Sequence, residues 1–513
     1  MSARLWALGE RQHVNAQLSR RTFLAASAAA TLAACSANPG AQQEAPAKTA
    51  KLDPSNPTSV TVWHYYNGAQ QAAFDEIVGE FNDDAGKAEG IHVEAQSLGS
   101  VSDLESAISD SVAGAVGSRE LPGIFSSYSD TAYAAQQKGA LANIAQYFTS
   151  SELSEFVDGY LQEGYFNSDG ALYLLPVAKS TETTMVDETD WKPFADATGS
   201  TLDELTTFEG IAAVAQRYYE WTAQQSADGR GRAFYGRDSM ANYFVIGLKQ
   251  MGVDVYEVDA DGNATVNIPE DDVRRLWDNY YVPYVNGWFK ATGKFRSDDV
   301  KTGGIIAYTG STASASYFPD QVVSDDGSTK AIDYEILTSP VMKDGEGYAV
   351  QQGAGMAVTA SDDVHEYAAV EFLKWFCRKD NNLRFACTSS YLPVRKDANT
   401  VEALDEAIKD GGVEVAPKVS DTLRKVMGAF DRTSYYAPRC FSNGFAARKV
   451  LENSLQSKAQ ADAEAVEQAV AAGAARADAV APYVTDEAFG AWYQQFSDAL
   501  NDAAAGKAGA AKN

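Results

Sequence analysis

Two groupings of residues in this chain have the types and spacing to do chemistry. Asp259, Asp261, Asn263, Asn267 and Glu270 place oxygens at positions 1, 3, 5, 9 and 12 of a loop, as a calcium-binding EF loop does. The position that needs glycine for the sharp turn holds Ala264, and no helical pattern leads in. Asp261-Gly262, set between the β-prone runs 255–258 and 264–266, is a hairpin signal, and a hairpin is the expectation. The second grouping, Lys301-Thr302-Gly303, echoes one element of the serine β-lactamases. The chain has no Ser-x-x-Lys and no Gly-x-Ser-x-Gly, so nothing supplies the nucleophile. Among 70 acidic residues a glycosidase-like carboxylate pair is always available by counting, so a carbohydrate-active enzyme stays as an alternative. With four histidines and no CxxC or HExxH, a zinc site has no support. We expect no catalytic residue, no metal and no cofactor.

Covalent modification is expected at one thiol. Ser19-Arg20-Arg21-Thr22-Phe23-Leu24 leads through a short apolar run into Leu32-Ala33-Ala34-Cys35. The run is far below the roughly 20 residues that span a bilayer, so it reads as the apolar part of a signal peptide. The arginine pair resembles a twin-arginine export signal. Leu-Ala-Ala-Cys resembles a lipobox, in which cleavage leaves Cys35 as a lipid-carrying N-terminus. Residues 1–34 are therefore expected to be signal peptide, and 35–57, rich in Ala, Pro, Gln and Ser, a flexible tether. Removing the leader, with Arg4, Arg11, Arg20 and Arg21 against Glu10, takes the net charge from −28 to about −31. Such a chain repels nucleic acid and anionic lipid, so it should meet the membrane only through its anchor. The other cysteines, Cys377, Cys387 and Cys440, are odd in number and lie beside Phe376, Phe385 and Phe441. Buried thiols, with at most one disulfide, are the simplest reading.

The body that follows alternates strand and helix. Val60-Thr61-Val62-Trp63 is β-prone, and Phe74, Ile77, Val78 and Phe81 then recur at helical spacing. A strand at 91–93, a helical stripe of Leu104, Ala107, Ile108 and Val112, and a strand at 121–125 continue the pattern. Such an order predicts a mainly parallel α/β sheet, and about 480 residues predict more than one core. Near the C-terminus Trp492, Phe496 and Leu500 share a helical face, and an Ala-rich helix from 459 to 481 should stop at Pro482.

Several weak motifs fall in one order. They are Trp63-His64, Ile124-Phe125-Ser126-Ser127-Tyr128-Ser129-Asp130-Thr131-Ala132, Leu175-Pro176-Val177-Ala178-Lys179-Ser180-Thr181 and Gly310-Ser311-Thr312-Ala313-Ser314. Gln352-Gly353-Ala354-Gly355-Met356-Ala357-Val358, Phe372-Leu373-Lys374-Trp375-Phe376 and Ser390-Tyr391-Leu392-Pro393-Val394 follow. In this order the chain resembles the family-1 extracellular solute-binding proteins of ABC importers, which carry sugars and related polyols, over roughly residues 58–455.

The resemblance implies an α/β, two-lobe periplasmic-binding-protein-like fold with a hinge and an interlobe cleft. Its lobes would be 58–177 with 303–355, and 178–302 with 356–505, leaving 506–513 as a disordered tail. It implies a monomeric substrate-binding lipoprotein on the outer face of the cytoplasmic membrane, delivering a solute to ABC permease subunits. A surface sensor or adhesion protein is the other alternative.

Cleft aromatics in that family press against sugar C–H surfaces, and Trp63, Tyr65, Tyr66, Tyr128 and Tyr391 could serve here or fill the core. The closest resemblance is to the glycerol-3-phosphate-binding branch, whose ligand positions fall on Ser180, Ser311, Gly353, Tyr391 and Arg448. An acidic, polyol-contacting position falls on Ser129 or Asp130. A cleft tryptophan is replaced near Arg237, which with Lys179 would favour an anionic ligand unless Arg237-Asp238 is a surface pair. A sugar or a polyol-phosphate thus remains the expected solute, with Arg448 pairing phosphate or carboxylate bidentately if one is present.

Overall fold

The computed structural model describes residues 47–507, apart from 168, 260–261, 325 and 411–414. The arginine pair, Cys35, the tether up to residue 46 and the last six residues lie outside the described part.

The first sheet begins as the sequence predicts. In β1 (Thr58–His64) Val60 and Val62 are buried while Thr61 faces water. β2 (Ile91–Ser97) pairs with β1 in parallel along its whole length, from Thr58↔Ile91 to His64↔Ser97. β3 (Ile124–Ser127) joins the other side at Val62↔Ile124. The intervening helices present their apolar stripes to the sheet: α1 (Gly68–Asp83) buries Phe74, Ile77, Val78 and Phe81. In α2 (Val101–Ala113) the Ser100 hydroxyl accepts from the Asp103 N–H, an N-cap, and Gly114 ends the helix at φ +62°. α3 (Ser129–Gln136) follows β3 directly. A two-residue strand, β4 (Leu175–Pro176), is the sheet's last element before the chain leaves it.

The second sheet has the order β8-β5-β7-β6. It comprises β5 (Glu182–Asp187), β6 (Tyr235–Arg237), β7 (Ala307–Ser311) and β8 (Tyr334–Thr338). The nearly all-buried α4 (Met240–Gln250) packs here too. Then the chain returns: β9 (Gly355–Val358) inserts antiparallel between β3 and β4, completing the order β2-β1-β3-β9-β4. α5 (Asp363–Phe376) and α6 (Lys379–Ser389) add Phe372, Phe376 and Phe385 to the first core. α7 (Gly444–Ala471) and α8 (Asp486–Ala504) close the second core, where Trp492 stacks on Phe496 at 5.0 Å and Leu500 is fully buried.

Four expectations are corrected. The sequence places 303–355 with the first lobe and 356–505 with the second, yet β7 and β8 pair with β5 in the second sheet, and 356–394 pack on the first core. The Gly303-Gly304 pair that suggested a crossing is a helix end: Gly303, at φ +69°, donates to Val300 O just past Arg296–Lys301. The sheets are less parallel than predicted, because β9 is antiparallel to β3 and β4, and β5 is antiparallel to β7 and β8, with β6–β7 the parallel pair of the second sheet. The long C-terminal helix ends at Ala471, two residues before Gly473 at φ +101°, well ahead of Pro482. The strands Tyr256–Val258 and Ala264–Val266 form the expected hairpin, while residues 260–261 of the EF-like stretch are not described. Cys377, Cys387 and Cys440 are buried free thiols.

Candidate functional site

The segments running between the two sheets are tied to one another. Lys179 exchanges main-chain hydrogen bonds with Leu392, and Ser180 with Gln352. Gly353 holds φ +94°, and a Cβ there would sit 2.7 Å from Ala178 O, so only glycine fits. Its carbonyl accepts from Lys179 Nζ at 2.8 Å, and the same ammonium pairs with Glu163, which also accepts from Gln351 Nε2 at 2.7 Å. Lys179 is 1% exposed, and two of its three N–H donors are engaged by Glu163 and Gly353 O. Ser311 is used similarly: its main chain pairs with Glu182, and its hydroxyl caps the following turn by accepting from Ala313 N–H.

Beside these segments a cleft opens as two adjoining chambers of about 720 and about 360 Å³. They share Ser129, Glu163, Tyr256, Gln351 and residues 437–439. The larger, outer chamber carries Tyr165, Phe166, Tyr435 and Tyr436, and its Lys249–Asp254 pair (2.8 Å) is satisfied internally. The inner chamber collects Glu105 from α2, Tyr128 and Asp130 from the start of α3, Asn242 from α4, Gln352, and Arg448 from α7.

A buried relay positions Arg448. Its Nη2 donates to Asn242 Oδ1 (2.7 Å), whose Nδ2 donates to Glu182 Oε1 (2.9 Å). Glu182 in turn accepts from Arg237 Nη2 through both oxygens, at 3.0 and 2.9 Å. Arg237 is 3% exposed, flanked by Tyr243 and Phe208. It therefore lies behind the cleft wall and is no surface pair; Asp238 is spent on Arg296. One turn beyond Arg448, Glu452 accepts from the N–H groups of Met240 and Ala241, docking α7 onto the start of α4.

Burial acts on two of the three carboxylates that line the inner chamber. Burial pushes Glu105 up to about 7; the Thr131 hydroxyl opposes this, Asp130 adds to it, and Arg448 and Lys449 oppose it. Burial likewise pushes Asp130 up to about 6, against Arg448 and with Glu163. Asp130 sits so close to Gly444, the first residue of α7, that a Cβ there would collide with its Oδ1 and the carboxylate would have to move.

Of the residues singled out from sequence, Tyr128, Asp130 and Arg448 meet in the inner chamber. Lys179, Ser180 and Gly353 meet at the crossing segments. Tyr65 and Tyr391 touch through their hydroxyls at 3.3 Å, mostly buried. Tyr66 is 2% exposed in the first core, against Phe74 and Phe385. Trp63 belongs to the same core, with the Arg119 guanidinium 5.9 Å over its ring. Glu105 was missed, although it falls on the same helical stripe as Val101, Leu104 and Ile108. A carboxylate on an apolar face was the available signal.

Residues 76–414 match the model for bacterial extracellular solute-binding proteins, and the chain belongs to this family of exported solute-binding proteins. No curated protein matches it significantly. Among solved structures it is similar to the cyclic α-maltosyl-1,6-maltose binding protein of Arthrobacter globiformis, at 19% identity, covering 88% of this chain and 99% of that one, TM-score 0.58. It is similar to UgpB of Mycobacterium tuberculosis in complex with glycerophosphocholine, at 16% identity, 86% and 98% coverage, TM-score 0.60. The GacH receptor of Streptomyces glaucescens, solved with acarbose, gives 15% identity, 86% and 98% coverage, TM-score 0.56. At these identities the likeness is one of fold, that of the periplasmic binding proteins.

Proposed function

We propose that this protein captures a hydroxyl-rich solute, a sugar or a polyol-phosphate, in the cleft beside its crossing segments and delivers it to an ABC permease. The observation that carries this reading is the pair of adjoining chambers, where tyrosines, carboxylates and the guanidiniums of Arg439 and Arg448 converge from both cores. The solutes bound by the sugar-binding and glycerophosphocholine-binding neighbours support it. The two cores act as lobes that close on the solute about residues 177–181, 350–354 and 437–441, because a ligand touching both binds the closed state better. Arg237 then supports the cleft from behind, Trp63 packs in the first core, and Ser180, Ser311 and Gly353 hold the crossing segments and the second sheet beside it.

The protein works as a monomer exported through its arginine pair and tethered by lipid on Cys35 to the outer face of the membrane. Among the described residues no helix is long and apolar enough to cross a membrane. Cys35→Ser should release soluble protein, and retention of that variant in the membrane fraction would reject the anchor.

Calorimetric titration with neutral oligosaccharides, glycerol-3-phosphate and glycerophosphodiesters tests capture itself. Binding with a smaller radius of gyration in small-angle scattering is the expected result. If none of these solutes or their amino analogues binds, the capture reading fails.

A further inference from the structure

Apart from two guanidiniums, Arg448 and Arg439, the latter donating to Val258 O at 3.2 Å, the inner chamber is rich in acceptors and poor in donors. Glu105 is 6% exposed, and among the described residues no lysine or arginine forms an ion pair with it or with Asp130. Arg448 faces both carboxylates, yet it donates to Asn242 at 2.7 Å. Lys449 lies toward Glu105 from the exposed side of α7, over the Phe445 ring at 4.4 Å. Glu163, the third carboxylate near Asp130, is already neutralised by Lys179.

Two further groups are buried without a partner. The Tyr256 hydroxyl, on a residue 7% exposed that lines both chambers and faces Asp130 and Arg448, has no hydrogen-bond partner among the described residues. Neither has Gln352 Oε1 on the same wall. Buried polar groups are nearly always paired, so those left over in a cavity mark where a ligand's atoms belong.

The inventory selects the ligand's chemistry. When ionised, two carboxylates can only accept, as can an amide oxygen, and a tyrosine hydroxyl can do either. A phosphate brings acceptors and negative charge to the same place, so Glu105 and Asp130 would repel it. A sugar hydroxyl donates once, whereas an ammonium donates three times and cancels buried negative charge. We propose that the inner chamber holds the ammonium group of an otherwise hydroxylated solute, an amino sugar, with Glu105 and Asp130 as its counter-ions. This rests on the capture reading and narrows its solute class. An ammonium favours the ionised form of both carboxylates, so its binding should release protons and tighten as pH rises from about 5 to about 7.

Titration calorimetry on the full-length protein tests this with di- and triglucosamine against cellobiose and cellotriose. These differ only in carrying an ammonium or a hydroxyl at C2. At about pH 7 we expect the amino compounds to bind at least tenfold tighter, roughly one charge-assisted hydrogen bond's worth. The ratio should fall toward one in Glu105→Gln and Asp130→Asn, and in the wild type near pH 5. Should either variant melt early, Tyr256→Phe, which removes only the unpartnered hydroxyl, should still weaken the amino compounds selectively. Equal or tighter binding of the glucose oligomers overturns the proposal and leaves capture intact, as does binding of glycerol-3-phosphate alone. A preference that survives in all three variants also overturns it. Binding of no probe at all removes both readings together.

Discussion

Charge is buried in two neighbouring regions of this molecule on opposite terms. Along the crossing segments and behind them, Lys179 meets Glu163 and Gly353 O, and Arg237 meets Glu182 and Asp238 O. In the inner chamber Glu105 and Asp130 have no ion-pair partner among the described residues, and Tyr256 Oη and Gln352 Oε1 have no hydrogen bond. Taking an ion out of water costs several kcal/mol unless geometry and hydrogen bonds offset it. The first region offsets most of the cost internally, with Arg237 Nη1 alone of its ion-pair atoms lacking a partner among the described residues, and is therefore architecture. The second leaves it open, with carboxyls pushed toward neutrality, and is therefore where something from outside can bind.

The largest effect that can break this comparison lies in the closed region. Glu182→Ala strands the Arg237 guanidinium and frees Asn242, so urea denaturation should show a loss of about 3–5 kcal/mol. Replacing both members, as Glu182→Met with Arg237→Met, should recover most of it, since a well-packed apolar pair can substitute for a buried ion pair. A cost under about 1 kcal/mol for Glu182→Ala would mean that the pair is not architectural.

Gly353→Ala is next. It forces a side chain into the left-handed region against Ala178 O, and a drop of about 1–3 kcal/mol in thermal denaturation is expected. An unchanged melting temperature would show that the crossing segments yield easily, which is hard to reconcile with a defined hinge.

The open region should answer to pH. Burial raises the Glu105 carboxyl from 4.5 to about 7, so the folded state holds its proton more tightly than the unfolded chain does. That contribution is complete below about pH 4.5 and is lost as pH rises through about 7. Glu105→Gln, which cannot ionise, should be more stable than wild type near pH 8 by on the order of 1–2 kcal/mol, and equal to it near pH 5. A constant difference across that range would place Glu105 in ordinary solvent.

The smallest effect sharpens the contrast. Tyr256→Phe removes a hydroxyl that makes no hydrogen bond among the described residues, so without ligand its stability should stay within about 0.5 kcal/mol of wild type. A loss of about 1–3 kcal/mol would reveal a partner and remove Tyr256 from the set that awaits a ligand.

Much of the local structure was legible before any coordinates. The stripe Phe74, Ile77, Val78 and Phe81 is the buried face of α1, and Trp492, Phe496 and Leu500 are that of α8. A helix of 3.6 residues per turn lays such residues along one side whatever they later touch. Asp261-Gly262 marked a hairpin for the same reason: turn geometry is settled within a few residues. In the candidate site Tyr128, Asp130 and Arg448 were legible through motif order, and Glu105 could have been, as an acid on an apolar stripe.

What the sequence by itself determined, then, was the run of helices and strands, the excess of negative charge and the motifs that mark the family. Only the tertiary structure decided which sheet each returning strand joins. β7 and β8 carry no local mark of belonging with β5 over β1, because strand pairing depends on backbone edges brought together from far along the chain. It also decided that Arg237 is a supporting residue, since its partner Glu182 lies 55 residues away. The same kind of long-range meeting brought Glu105 and Asp130 together without an ion-pair partner, and Tyr256 Oη without a hydrogen bond, among the described residues. A side chain's chemistry is written in its type, but whether that chemistry is spent or available depends on which distant atoms folding brings to it.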